Sequence, residues 1–308
     1  MKHLVILDSN SIIHRAYHAL PPLRTKEGDL VNAVYGFLLV FLKVIKELRP
    51  DYLVATFDLP GKTFRHDAFK DYKAKRPSTP EGLSPQFLPV KNFLRAFDVK
   101  IFEKSGFEAD DAIGTIVEKN KNGNIEITII SGDMDILQLV NDRVKVYFLR
   151  RGVKDTTIYG SKDVEEKYGI TPEQIPFFKG LKGDTSDNIP GIKGVGEKTA
   201  IKLIKDFESM ENLYRELERE DGCTKKVSPN LRELILKSKS MAFLSKKLGE
   251  LDRDVPIEFN LDECSFGDYD KKIVREMFER FDFFSLINKF FENMEKEKNI
   301  LKENLKLW

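Results

Sequence analysis

Cysteine is scarce in this 308-residue sequence, and long apolar runs are missing. Its two cysteines, Cys223 and Cys264, cannot build a disulfide framework, and neither has another Cys or a His at zinc-ligand spacing. The longest largely apolar run, residues 33–42, falls well short of the roughly 20 residues that a membrane-spanning helix needs. The apolar segment at residues 4–7 is too short for a secretory signal. We therefore expect neither a secreted disulfide-rich fold nor a membrane protein, and predict a cytoplasmic location.

An excess of charge of one sign is also missing. Lysine and arginine together number 51, aspartate and glutamate 50, while charged residues make up 33% of the chain. Overall basicity therefore does not indicate a nucleic-acid partner, and such a role must come from acidic and basic residues gathered in separate places. The 41% of hydrophobic residues is enough for a main domain with a smaller helical partner.

Hydrophobic patterning predicts an α/β domain in the first half of the chain. Helical spacing of apolar residues alternates there with short, mainly apolar, β-rich segments, which is typical of a doubly wound, mostly parallel sheet. The predicted strands are residues 4–7, 52–57 and 125–130, and the predicted helices are residues 31–48, 89–97 and 109–117. After residue 168, short helical segments are broken by Gly, Pro and Asn. We expect an α/β domain at 1–170, a helical domain at 171–287 and a helical tail at 288–308.

Acidic residues follow each predicted strand. Asp8 comes after the first, Asp58 after the second and Asp133 after the third. Because sites in such sheets form at the carboxyl ends of the strands, we expect these carboxylates to converge. The segments Glu-Ala-Asp-Asp and Gly-Asp-Thr-Ser-Asp-Asn add further acids. The full candidate set is Asp8, Asp58, Glu108, Asp110, Asp111, Asp133, Asp135, Asp184 and Asp187.

So many carboxylates at one edge predict a metal site. A single Asp after a strand is more often a turn or helix cap, and a helix dipole favours acids in a first turn. A cluster of this size would instead raise its members' pKa values steeply unless cations neutralised it. An all-oxygen ligand set suits Mg²⁺, with Mn²⁺ as a substitute. Two such ions roughly 4 Å apart can promote phosphodiester hydrolysis.

A basic segment at residues 62–77 provides the opposite charge, with six Lys or Arg against two Asp. Pro77 is expected to end this element. If the segment is helical, Tyr72, Lys73 and Arg76 lie close together on its surface, which suits a phosphate and an unpaired base. A solvated charged face explains such a run about equally well.

A glycine-rich turn at residues 190–200, Pro-Gly-Ile-Lys-Gly-Val-Gly-Glu-Lys-Thr-Ala, has the helix-hairpin-helix pattern. Its glycines permit a tight turn, and the amides of the following helix can hold a phosphate. Such a hairpin contacts the backbone of duplex DNA without reading its sequence. The expected contact residues are Lys193, Gly194, Gly196, Lys198 and Thr199.

Over residues 1–287 the chain closely resembles the 5′-to-3′ exonuclease domain of bacterial DNA polymerase I and its stand-alone flap endonuclease relatives. The resemblance implies a PIN-like domain, a mobile arch at residues 62–90 over the active site, and a helical DNA-binding domain with its hairpin at 184–205. It is carried by motifs at residues 15–23, 57–58, 61–65, 72–77, 106–111, 132–135 and 183–191.

The resemblance also implies roles for particular residues. The acids become ligands of two Mg²⁺ ions, and the hairpin holds K⁺ through backbone carbonyls near residues 191–196. Lys73 and Arg76 become arch cations that position the scissile phosphate, with Arg15 as a further phosphate contact. Arg65 and Tyr72 become DNA contacts, Tyr72 by stacking.

The expected function is that of a monomeric, structure-selective 5′ nuclease acting on 5′-flap, nicked or 5′-ended duplex DNA in primer removal and repair. A catalytically inactive DNA-junction binding module would be missing some of the acids, and a PIN-type ribonuclease would lack the hairpin. The sequence leaves open whether RNA primers on DNA are cut, whether a DNA polymerase is a partner, and whether the chain is part of a longer polymerase.

Overall fold

A six-stranded sheet lies at the centre of the computed structural model, which describes residues 1–153, 155–219 and 226–292. The strand order is β3-β2-β1-β4-β5-β6. Neighbouring strands are parallel except β5 and β6, which are antiparallel. The strands are β1 (Lys2–Asp8), β2 (Tyr52–Thr56), β3 (Lys100–Phe102), β4 (Ile125–Ser131), β5 (Val144–Arg151) and β6 (Asp155–Tyr159).

Helices cover both faces of this sheet. Residues 4–7 of β1 are completely buried, as expected for a central parallel strand. Leu4 and Ile6 belong to a core shared with the helix of Ile113, whereas Val5 and Leu7 pack with Phe37 on the other face. The helices of the α/β region are α1 (Ser9–Ala19), α2 (Asn32–Leu48), α3 (Phe64–Ala68), α4 (Phe87–Ala96), α5 (Ala109–Lys119) and α6 (Ser161–Tyr168).

The predicted doubly wound α/β fold is confirmed, and the three predicted strands correspond to β1, β2 and β4. The three predicted helices correspond to α2, α4 and α5. Strands β3, β5 and β6 were not predicted. The first has only three residues, and the other two carry charged residues, so their apolar signal is weaker.

Short helices continue the chain beyond the sheet. The first five pack against the core on the α5 side, and the last two pack against the core that contains Phe37. Helix α7 contacts α11 closely at Gly180, where a Cβ atom would lie 3.0 Å from the Ala242 carbonyl oxygen. These helices are α7 (Ile175–Lys182), α8 (Glu197–Phe207), α9 (Met210–Glu218), α10 (Pro229–Lys237), α11 (Lys239–Gly249), α12 (Lys271–Arg280) and α13 (Phe284–Ile287).

The end of the described chain returns to the sheet domain. Phe290 and Phe291 are buried in the same core as Phe37. Most of the predicted tail, residues 293–308, lies outside the described residues. Among the helices that are described, none combines the length and apolar character needed to cross a membrane.

The basic segment is not helical throughout, so the condition under which Tyr72, Lys73 and Arg76 share a helix surface is not met. Only α3, five residues long, is helical, and the following residues form turns up to Arg76. Lys73 has a positive φ of 54°, which breaks helical geometry, and its backbone N–H donates to the Asp187 carbonyl at 2.9 Å. A long-range contact therefore fixes this backbone in place of a helical turn.

A carboxylate-lined cavity at the sheet edge

The register of the central strands brings three acids to one edge. Asp8 pairs with Thr56 of β2, and Leu7 pairs with Ile130 of β4, so β1, β2 and β4 end side by side. Asp58 and Asp133 each lie two residues beyond the ends of β2 and β4. A cavity of 1140 Å³ opens at this edge, and the acids that line it are Asp8, Asp58, Glu108, Asp110 and Asp133.

Asp8 is the most enclosed strand-end acid, with 2% of its surface exposed. It caps α1 by accepting from the Ser11 N–H at 3.1 Å, and the Ser131 hydroxyl donates to its other oxygen at 2.5 Å. Burial, together with the charges of Asp133 and Asp58, raises the pKa of Asp8 to about 7 despite these hydrogen bonds. The ionised form of this carboxylate is therefore electrostatically unfavourable at this position.

The ionised forms of Asp58 and Asp110 are also disfavoured. Asp58 accepts from the Ala109 N–H at 2.7 Å and from the Asn10 amide at 2.9 Å, which ties β2 to the start of α5. Burial raises the pKa of Asp58. Burial also raises the pKa of Asp110, and the charges of Asp8, Asp133 and Asp58 add to the effect.

This crowding is the feature that suits a divalent cation. Mutual repulsion between buried carboxylates is relieved when a cation binds among them. Among the described residues, no three His, Cys, Asp or Glu side chains are arranged so that they would by themselves hold a metal ion. Mg²⁺ commonly keeps several water ligands and uses only one or two carboxylates plus substrate phosphates, so an open acidic cavity is compatible with it.

Three predicted cations line the same cavity: Arg15, Lys73 and Arg76. The Lys73 ammonium lies 2.9 Å from Glu108 and 3.8 Å from Asp187. Arg15 donates to the backbone carbonyls of Arg150 at 2.7 Å and Gly132 at 3.1 Å, so its guanidinium is held beside the acid-bearing turn after β4. Arg76 is exposed at the rim of the cavity. The tertiary structure thus gathers positive and negative side chains around one space.

Arg65 and Asp111 require a correction. The Arg65 guanidinium binds both oxygens of Asp111 at 2.7 Å, with both residues buried. The backbone N–H groups of Glu108 and Asp252 also donate to Asp111, at 3.1 and 2.9 Å. Since these contacts occupy both carboxylate oxygens, Asp111 does not belong to the candidate metal ligands. Arg65 is likewise not available as a surface DNA contact.

Tyr72 also differs from the prediction. Only 3% of its surface is exposed, and its ring packs with Ile189 and Leu248. Its hydroxyl donates towards Glu108 and Asp187, each at 3.3 Å. A ring enclosed in this way cannot stack on an unpaired base.

The remaining acids do not share the cavity. Asp135 and Asp184 line a separate cavity of 370 Å³, where both contact the ammonium of Lys179. Burial raises the pKa of Asp184, but the Lys179 charge and the bonds from Ser186 outweigh it and lower the pKa to about 2. Asp187 lies between the two groups, beside Lys73. The nine candidate acids therefore do not all line one cavity.

Lys179 was not predicted from the sequence as a residue of this site. Its position could have indicated a buried lysine, because it lies between the buried residues Phe177 and Leu181 of a mainly apolar helix. Lysine is almost never fully buried unless it is paired.

The hairpin joins α7 to α8. Gly191 has a φ of 62°, and a Cβ atom there would lie 2.2 Å from the backbone nitrogen of Gly183. The Ile192 N–H donates to the Leu181 carbonyl at 2.8 Å, which closes the turn. Of the predicted contact residues, Thr199 is half-buried, and the exposed ones are Lys193, Gly194, Gly196 and Lys198.

Comparisons with known proteins agree over nearly the whole described chain. A family model described as the N-terminal resolvase-like domain of 5′-3′ exonuclease matches residues 3–169. The corresponding C-terminal domain, described as a SAM fold, matches residues 170–272.

Among similar curated proteins is DNA polymerase I of Bacillus caldotenax, 40% identical over 302 residues, which cover 98% of this chain and 34% of the relative. DNA polymerase I of Bacillus subtilis is 39% identical over 292 residues, or 95% of this chain and 32% of the relative. The chain thus spans about one third of the length of these relatives.

Solved structures share the fold. One is the T5 5′-exonuclease with bound zinc, with a TM-score of 0.67, 21% identity, and coverage of 90% of this chain and 99% of that one. Another is the catalytic core of Rad2 in complex with DNA substrate, with a TM-score of 0.56, 16% identity, and coverage of 91% and 87%.

Proposed function

The chain belongs to the 5′-3′ exonuclease family, and from this premise we propose that it is a metal-dependent nuclease that hydrolyses phosphodiester bonds in 5′-flap, nicked and 5′-ended duplex DNA. The observation that carries the proposal is the cavity at the carboxyl edge of the sheet, which is lined by five acids and by the cations Lys73, Arg76 and Arg15. Such a division of charge favours one or two cations beside the acids and phosphate groups beside the basic side chains.

The carboxylates proposed to hold Mg²⁺ fall into two sets. Asp8, Asp58, Glu108, Asp110 and Asp133 line the main cavity. Asp135, Asp184 and Asp187 lie beyond it and are proposed for a second ion, with Mn²⁺ able to replace Mg²⁺ in both sets. When bound, the ions supply positive charge that favours deprotonation of the attacking water and departure of the 3′ oxygen.

The chain's own cations position the substrate. Arg76 and Lys73 line the same cavity as Asp8, and their charge favours a phosphodiester held in the cavity. Arg15, fixed by two backbone carbonyls, is proposed to contact a neighbouring phosphate. Hydrolysis would leave a 5′-phosphate on the product.

The hairpin is proposed to bind the duplex part of the substrate. Lys193 and Lys198 are exposed beside two glycines that leave the backbone accessible, which suits phosphate contacts without sequence readout. Gly194, Gly196 and Thr199 belong to the same proposed surface. A K⁺ ion held by backbone carbonyls of residues 191–196 is part of this proposal.

The biological setting follows from the relatives. Because the chain matches about one third of the length of DNA polymerase I sequences, we propose primer removal and repair as its role, with RNA primers on DNA as further substrates and a DNA polymerase as a partner. We propose that it acts as a cytoplasmic monomer. An inactive junction-binding module is less well supported, because every acid of the main cavity is present. A ribonuclease is less well supported, because the hairpin is present.

The first test compares cleavage of a 5′-flap duplex and of the matched single strand, with Mg²⁺ or with a chelator. Wild-type protein is expected to cut near the flap junction only with Mg²⁺, and Asp133→Asn to lose cutting while still binding DNA. Asp142→Asn is the matched control, because Asp142 is an exposed aspartate close to Asp133 in the sequence. This variant should cut like wild type. Tight flap binding by wild type without cleavage in any divalent ion would favour the binding module.

A further inference from the structure

Lys179 joins two acids from different parts of the molecule. Its ammonium lies 2.7 Å from Asp184, in the turn after α7, and also contacts Asp135, which follows β4. The side chains of Lys179, Asp135 and Asp184 are 9%, 17% and 21% exposed, so water screens these charges poorly. One ammonium therefore neutralises a pair of acids that would otherwise repel each other across the boundary between the sheet and the helices.

The stem of Lys179 has little freedom to leave this position. At Gly249, the last residue of α11, a Cβ atom would lie 2.7 Å from Lys179 Cδ and 3.0 Å from its Cβ. The stem therefore packs directly on the backbone of α11. This contact aims the ammonium at the two carboxylates, and the absence of a side chain at residue 249 makes room for it.

We propose that Lys179 is a positioning residue that acts as the built-in counter-ion of Asp135 and Asp184 and competes with a divalent cation for them. The inference rests on the proposed function, since it takes these acids as ligands of the second ion. An ammonium and a metal ion need the same carboxylate oxygens, so binding of one opposes binding of the other. Lys179 thereby keeps the pair assembled without metal and weakens the second ion's affinity.

The test measures Mn²⁺ binding without DNA, by electron paramagnetic resonance of the free ion, together with thermal unfolding in chelator and in Mn²⁺. Lys179→Met keeps the length of the side chain but removes its charge. The variant should increase the affinity of the weaker Mn²⁺ site about tenfold or more. It should also lower the midpoint of unfolding in chelator, because two acids lose their partner, and Mn²⁺ should restore much of that loss.

Two controls separate charge from position. Lys179→Arg keeps the charge and should bind Mn²⁺ like wild type. Lys162→Met changes an exposed lysine of α6 that does not line this cavity, and should leave both measurements unchanged. Equal affinity of the weaker Mn²⁺ binding in wild type and Lys179→Met would overturn the proposal.

If Lys179→Met does not fold in chelator, Asp135→Asn gives a second measurement, because it leaves the Lys179–Asp184 pair intact. This variant should weaken the second Mn²⁺ binding about tenfold or more, and unchanged binding would also overturn the proposal. Flap cleavage by wild type is measured separately. Cleavage with no effect of either variant on Mn²⁺ binding would reject the role of Lys179 and leave the nuclease function standing.

Discussion

The guanidinium of Arg65 binds both carboxylate oxygens of Asp111 at 2.7 Å, in a place where neither residue is more than 2% exposed. Arg65 also donates to the carbonyls of Leu248 at 3.0 Å and Glu250 at 2.8 Å. One ion pair therefore connects α3, α5 and the end of α11. Because α5 also begins with Asp110, the pair holds one wall of the acidic cavity in place.

Breaking this pair should destabilise the protein strongly. Asp111→Asn removes the carboxylate that binds the buried Arg65 at 2.7 Å and leaves only Glu108, at 3.7 Å, as a charged partner. We expect a loss of about 3–5 kcal/mol in the free energy of unfolding. Arg65→Lys should also lose stability, because lysine cannot make the paired contacts. Chemical denaturation measures both. Wild-type stability of Asp111→Asn combined with weaker Mg²⁺ binding would return Asp111 to the metal ligands.

Tyr72 should contribute to stability rather than to base stacking. Tyr72→Leu keeps an apolar side chain between Ile189 and Leu248 but removes the ring and the hydroxyl. We expect lower stability by about 1–3 kcal/mol, from lost hydrogen bonding and packing, and an affinity for single-stranded flaps within about twofold of wild type. Fluorescence anisotropy measures the affinity. A loss of about tenfold or more in a folded variant would support stacking.

Gly191 and Gly196 should respond very differently to alanine. At Gly191, the positive φ and the 2.2 Å approach to Gly183 leave no room for a methyl group, so Gly191→Ala should cost about 3 kcal/mol or more. At Gly196, a Cβ atom would meet nothing within 4 Å and φ is −89°. Gly196→Ala should therefore cost at most about 1 kcal/mol. Urea denaturation compares them, and equal losses would contradict the described turn.

Lys198 should contribute to DNA affinity through phosphate charge alone. Lys198→Ala should weaken binding to duplexes of different sequence equally and reduce the slope of log affinity against log salt by about 0.9. Lys121→Ala is a suitable control, because this exposed lysine precedes β4 at the opposite edge of the sheet. Equal slopes for wild type and Lys198→Ala would exclude the hairpin residue from the duplex contact.

Cys264 should be an unreactive thiol in the native protein. It is 2% exposed, and burial raises its pKa to about 11 from an ordinary value of 9.0. In a Cys223→Ser background, a thiol reagent at pH 8 should react far more slowly with native than with unfolded protein.

The same shift predicts the direction of a pH effect on stability. Because the folded pKa of Cys264 is the higher one, its contribution to stability is fully present below about pH 9 and is lost as the pH rises towards about 11. Cys264→Ala should remove this part of the alkaline loss in denaturation curves. Fast labelling of the native thiol at pH 8 would contradict its burial.

Local sequence patterns predicted the three central strands, three of the helices and the edge at which the site forms. Strands β1, β2 and β4 and helices α2, α4 and α5 were predictable because the spacing of apolar residues is a local property. The same holds for Asp8, Asp58 and Asp133, since each lies at or within two residues of the end of a strand, and parallel strands end at the same edge. The glycine turn and the basic segment were equally visible as local composition.

Which charged side chains pair with each other depends on the tertiary structure. Arg65 lies 46 residues from Asp111, and Lys179 lies 44 residues from Asp135, so no local pattern links the partners. Burial then separates internal ion pairs from substrate contacts. A charged side chain that is removed from water is stable only with a partner of opposite charge, whereas an exposed one remains available for substrate. For this reason Arg65, Tyr72 and Asp111 became internal contacts. Of the other eight acids, five line the cavity, two are held by a lysine, and Asp187 lies beside Lys73.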